Sequence, residues 1–268
     1  MILKRLIALA IFILMAMHIR AGESATQSPD GVIAWTPAAP AAQVNGEYNA
    51  TRWGMYDAYV LLEAPTAGTV TATIGGKELT ALCSVAVPTL TLGRVYIEKS
   101  GKLALSMKGE PLDAAKPLLI KTLTLTPAPE GKPIAQDGDL SITLHARDAT
   151  VHGVNMRFEP KPEKNTLGWW SNAKDWASWE FELKKPGKFI VFAMHGSNGG
   201  SEIEIAVGEQ KLNWTTKNTG SYHTFTFLEV GTLNLDTPGP VALTLKPTKK
   251  SGGGIMDLRE VILLPVLK

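Results

Sequence analysis

From Trp179 the chain alternates. Trp179, Phe181 and Leu183 fall on one side of an extended backbone, and Glu180, Glu182 and Lys184 on the other. A period of two is that of a half-buried strand. Pro186-Gly187 is a turn signal, and Phe189 to Phe192 opens another apolar run. Residues 168–192 therefore predict a β-hairpin with a tryptophan-rich leading loop: Trp169, Trp170, Trp176 and Trp179 are four of the seven tryptophans in the chain. Elsewhere few segments place apolar residues every three or four positions. Short Val, Ile, Leu and Thr runs are separated by Gly, Pro, Asn and Asp, which predicts an all-β protein.

The pattern also recurs. Leu90–Pro127 aligns without a gap to Leu228–Pro265, matching Gly93 to Gly231, Gly101 to Gly239 and Pro127 to Pro265. A second ungapped block sets Asp30 against Asp137 and Ala42–Gly46 against Ala149–Gly153; between the blocks the second copy is longer. Read this way, the chain is a divergent tandem duplication of antiparallel β-sandwiches of the jelly-roll kind. The expected organisation is residues 28–129, a Pro/Gly-rich linker at 130–136, and residues 137–268.

Composition adds a destination. Lys4 and Arg5 precede the apolar run Leu6 to Met17, and small residues follow at Ala21 and Gly22, the layout of a signal peptide spanning residues 1–21. The apolar run is short for a membrane span. The expectation is a secreted or periplasmic protein with no stable membrane insertion after cleavage. With one cysteine, Cys83, no intrachain disulfide forms. The net charge of +2 comes without a basic patch, which argues against nucleic acid as a partner.

Catalytic signals are sparse. There is no Gly-x-Ser-x-Gly elbow, Cys83 has no histidine near it in sequence, and His145, His152, His195 and His223 show no metal-ligand spacing. Glu180 and Glu182 alternate with core-facing residues and read as a solvated strand face. Aromatic stacking is the stronger chemistry, because the C–H face of a sugar ring packs on an indole while amides and carboxylates hold its hydroxyls. Trp169 and Trp170 are the candidate platform, with Asn172, Asp175, His195 and Asn198 as polar candidates. The alternation assigns Trp179 to the core; for Trp169 and Trp170 core and surface both remain open. In the first half, Trp53, Tyr56 and Tyr59 occupy roughly the region of the cluster, leaving that half a spacer or a second, altered site.

With LHARDATVHG, GWWSNAKDWASWEFELKKPGKF, GGSEIEIAVG and MDLREVILLP in view, residues 137–268 resemble the galactose-binding-like jelly-roll modules related to family 6 carbohydrate-binding modules. Such modules are found appended to secreted fucosidase-like and sulfatase-like enzymes. The resemblance implies a non-catalytic module that binds a polysaccharide or glycan. It also raises a structural calcium, for which Asp257 occupies a last-strand position; the first-strand position reads Leu144-His145-Ala146, without a carboxylate. Two rival readings stand beside it: a structural or assembly module binding another cell-surface protein, and an accessory part of a glycoside hydrolase or sulfatase system.

Overall fold

The computed structural model describes residues 23–266; the signal peptide expected at 1–21 lies outside them. The fold is all-β, as the alternation predicts. In the first half, Ser24–Gln27, Ile33–Thr36, Ile120–Pro127, Gly54–Leu62 and Thr89–Ile97 form one sheet in that spatial order. Gln43–Ala50, Gly101–Pro111, Gly68–Ile74 and Lys77–Cys83 form the facing sheet. Their inner faces enclose a core that includes Trp35, Tyr56, Val60, Leu105, Met107 and Leu123.

The second half repeats this plan with additions. Arg157–Glu159, Thr166–Gly168, Asp257–Pro265, Gly187–Gly196 and Thr226–Leu235 make one sheet, with Ile142–His145 also pairing to Asp257–Pro265. Ile134–Ala135, Trp176–Leu183, Gly239–Lys249, Glu202–Val207 and Gln210–Thr215 make the other, with Thr150–His152 also on Trp176–Leu183. Each half is a jelly-roll β-sandwich, and no sheet is shared between the two cores among the described residues.

The registers of the two halves correspond. Gly54–Leu62 lies between Thr89–Ile97 and Ile120–Pro127, just as Gly187–Gly196 lies between Thr226–Leu235 and Asp257–Pro265. The strand beside each central one carries a bulge: Leu92, next to Gly93, is the extra residue opposite Ala58 and Tyr59, and Val230, next to Gly231, is the extra residue opposite Val191 and Phe192. Both glycines have positive φ, 121° and 151°, which a bulge accommodates readily only with glycine.

The pairing corrects the second aligned block. Gly46 pairs with Leu105, whose counterpart Leu243 pairs with Trp179. Gly46 is therefore equivalent to Trp179, and not to Gly153, which lies in the loop after Thr150–His152. The extra residues of the second half thus precede this strand. By the same logic Trp35, opposite Leu123, is equivalent to Leu144, opposite Val261. One half puts the tryptophan on one sheet above a glycine on the other; the second half reverses the assignment, with leucine and tryptophan.

The segment expected to be a linker is docked. Gly131 N–H donates to Arg147 O at 2.8 Å and Lys132 N–H to Asp148 Oδ1 at 3.2 Å, while Ile134–Ala135 pairs in parallel with Phe181-Glu182. The halves also touch directly. Buried Arg52 donates from Nε to Gly153 O and from Nη2 to Val151 O. Trp176 Nε1 donates to Asp30 Oδ1 at 2.9 Å, and its ring stacks on His152 at 3.6 Å between centroids. Trp176 thus anchors the junction between halves.

Candidate functional site

The tryptophan pair resolves at the end of Thr166–Gly168. Trp169 takes φ 55°, a left-handed conformation unfavourable for a bulky residue, and Ser171 N–H closes back onto its carbonyl at 2.8 Å. The turn throws the two side chains apart. Trp169 is 57% exposed, whereas Trp170 is 2% exposed in the core, its Nε1 donating to Asp175 O at 2.9 Å. Trp179 is core as the alternation requires, and its Nε1 donates to His145 O.

The remaining polar candidates divide sharply. Asp175 is fully buried and its carboxylate accepts from the backbone N–H groups of Val154, Asn155 and Met156 and from Asn172 Nδ2. Its chemistry is spent on fixing the 153–156 loop. Asn172 completes that motif, since its Oδ1 accepts from Lys174 N–H. His195 is fully buried; burial, more than any other cause, lowers its pKa, and its Nε2 accepts from Lys217 N–H. Asp175 and His195 are thus out of reach of a ligand, a correction that follows from long-range bonds the local pattern does not encode. Trp170 is a core residue that touches a ligand surface only through the edge it lends to the cleft beside Trp169. Asn198 is exposed, with its backbone bridged to Asn218.

Trp170 apart, what surrounds Trp169 is different from the expected set. A cleft of about 130 Å³ is lined by Trp169, Trp170, Ser171, Tyr222, Gly254, Ile255, Met256 and Asp257. Tyr222 Oη donates to Gly254 O at 3.1 Å, fixing the far wall. On the other flank stands a residue from the first half: Trp53, whose Nε1 donates to Phe158 O at 3.0 Å. The Trp53 and Trp169 rings meet edge to face, 6.3 Å apart at 82°. The Arg157 guanidinium carbon lies 4.3 Å from the Trp53 ring centroid and 4.9 Å from that of Trp169.

Asp257 is 5% exposed and does not have the surroundings of a calcium ligand. Lys164 Nζ lies 2.8 Å from its Oδ2 and 3.5 Å from Glu159 Oε2. Burial raises the Asp257 pKa, and the bond from Lys164 offsets only part of the rise. At the first strand, His145 Nε2 bonds Asn165 Nδ2 at 2.9 Å. An ammonium already supplies the positive charge there, and no group of three metal-ligating side chains occurs among the described residues. The residues present do not fit the ion.

Trp53, Arg157 and the Lys164 group were beyond sequence reasoning because each acts across more than ninety residues or from the opposite half. The placing of Trp53 in the first half's counterpart of the tryptophan region was no guide, because with Gly46 equivalent to Trp179 and Ala58 to Val191, Trp53 corresponds to Pro186.

Comparison with known proteins places these features in context. A family model described as a domain of unknown function, DUF5077, matches residues 155–265. No curated protein matches the chain. Solved structures similar to it are mostly family 6 and family 35 carbohydrate-binding modules. The C-terminal CBM6 of a laminarinase from Zobellia galactanivorans is 17% identical with a TM-score of 0.38, over 46% of this chain and 98% of that one. A carbohydrate-binding module of Cellvibrio mixtus lichenase 5A, in complex with cellotriose, is 19% identical with a TM-score of 0.37, over 47% and 97%. An α-L-fucosidase from Vibrio sp. strain EJY3 is 15% identical with a TM-score of 0.34, over 91% of this chain but 40% of its own length.

Proposed function

We infer that the protein binds carbohydrate without acting on it chemically, through the cleft beside Trp169. The observation carrying this reading is a large indole, 57% exposed, held outward by a strained backbone next to a carboxylate and a tyrosine. An exposed indole offers a sugar ring a flat apolar surface that water solvates poorly. Asp257 lines the cleft, and the oxygen not bonded to Lys164 can accept from a hydroxyl. The sequence resemblance to sugar-binding modules supports the same reading, as does the export signal expected at residues 1–21.

The test is a glycan-array and affinity-electrophoresis screen of the full chain, repeated with Trp169→Ala. Loss of an interface tryptophan commonly costs about 2 kcal/mol, roughly thirtyfold in affinity. The thermal midpoint should stay put, since an exposed side chain leaves no cavity. Unchanged glycan binding by Trp169→Ala removes this site from the reading.

A second reading has its own observation. Leu82, Val85, Val87 and Leu112 are each more than half exposed at one end of the first sandwich, where Gly68 pairs with both Cys83 and Pro111. Clustered exposed aliphatic side chains suit a protein partner. Pull-down that is lost on Leu82→Ser/Leu112→Ser, with glycan binding intact, would assign that end to assembly.

A further inference from the structure

Two buried arginines at the junction of the halves form no ion pair; Arg52 has the Glu130 carboxylate near it, and Arg157 is the less compensated. Arg52 and Arg157 are 3% and 6% exposed. The arginine ion pairs among the described residues are Arg94 with Asp57 and Arg147 with Asp148; neither Arg52 nor Arg157 has one. Arg52 spends Nε and Nη2 on backbone carbonyls. Arg157 spends Nε on Asn155 O, and its Nη groups have no acceptor among the described residues.

The carboxylates nearest Arg157 do not pair with it. Asp175 takes four N–H donors, and Glu159, two residues along from Arg157 on the same strand face, turns toward Lys164 Nζ at 3.5 Å without a hydrogen bond. Burial, then the like charge of Arg52, lowers the Arg157 pKa, as for a cation short of compensation. A buried charge without a partner is costly, and a bound anion removes that cost.

The surroundings restrict what the anion belongs to. The two faces nearest the guanidinium are indoles, Trp53 and Trp169, and Trp169 is the exposed ring of the cleft. A guanidinium flanked by aromatic rings presents its N–H edge, which matches a carboxylate or sulfate in a two-pronged bond. We propose that the junction is a binding site for acidic saccharides: one sugar unit packs on Trp169, and a carboxylate or sulfate on that unit or its neighbour meets Arg157, with Trp53 of the first half as the supporting wall. The first half is then part of the site. This rests on the carbohydrate reading of Trp169 and adds the charge class and the second half's partner to it.

The experiment is isothermal titration of the full chain with oligogalacturonate, a sulfated galactan oligosaccharide, and neutral cello- and β-1,3-gluco-oligosaccharides at two salt concentrations. One acidic ligand should bind roughly tenfold or more tightly than the neutral ones and weaken as salt rises; the galacturonate and galactan arms separate carboxylate from sulfate. Arg157→Gln and Trp53→Ala should each weaken it by about tenfold, with Arg157→Lys recovering part of the loss. The acid-over-neutral preference and its salt dependence are read on the unmodified protein, so a variant that fails to fold does not decide the matter. Equal or better binding of neutral sugars, without salt dependence, overturns the inference; if Trp169→Ala then still abolishes binding, the carbohydrate reading stands alone. If no saccharide of either kind binds, both fall.

Discussion

Gly46 lies so close beneath the indole of Trp35 that a Cβ at Gly46 would overlap the six-membered ring. The two residues sit on opposite sheets of the first sandwich, and Trp35 is 1% exposed. Gly46→Ala should therefore lower stability by about 1–3 kcal/mol through overpacking. Adding Trp35→Leu should restore part of the loss by making room. Urea denaturation of both variants checks this; additive losses in the pair would mean that the contact is not the cause.

Asp175→Ala removes the acceptor for three backbone N–H groups in the 153–156 loop. Each buried donor left without a partner costs about 1–3 kcal/mol, so the second sandwich should lose cooperative unfolding or fold poorly. Asn in place of Asp retains one acceptor oxygen and should be milder. Equal losses for the two would point to packing rather than hydrogen bonding.

Lys164→Met strands the buried carboxylate of Asp257 and the half-buried one of Glu159, and should cost about 3–5 kcal/mol. Chelation with EDTA should leave the thermal midpoint of the unmodified protein where it is. A midpoint that falls on chelation and returns with calcium would contradict the assignment of this cation to Lys164.

Two groups at the junction respond oppositely to acid. Burial lowers the His152 pKa from 6.5 to about 4. Below pH 6.5 the unfolded chain takes up that proton and the native state does not, so stability declines down to about pH 4. Burial raises the Glu130 pKa from 4.5 to about 7, so between those values the native state holds the extra proton and stability rises as pH falls. His152→Gln should make the melting temperature fall less between pH 6.5 and 4; Glu130→Gln should make it fall more between pH 7 and 4.5. Matching profiles for the unmodified protein and both variants would sink the assignment.

The strands were readable wherever a local period records burial. Trp179, Phe181 and Leu183 alternate because one side of their strand faces the core, and Gly93 and Gly231 align because both bulges need the same positive φ. Trp169 and Trp170 were not separable, since they leave the strand and a left-handed turn decides which is exposed. Asp175 read as a ligand because a polar residue near tryptophans looks the same whether its bonds go to a sugar or to backbone twenty residues away. The match of Gly46 to Gly153 failed for a related reason: identity favoured two glycines, whereas cross-strand pairing sets glycine against tryptophan.

That reversal bears on folding fidelity. Neighbouring domains of like topology are prone to exchange strands while they fold. Here Trp176–Leu183, placed in the first sandwich, would bring Trp179 against Trp35 with no room for both. Gln43–Ala50, placed in the second, would bring Gly46 against Leu144 and leave a void. Either swapped product is disfavoured, one by collision and one by emptiness, so each half carries a steric key that its neighbour's strand does not fit.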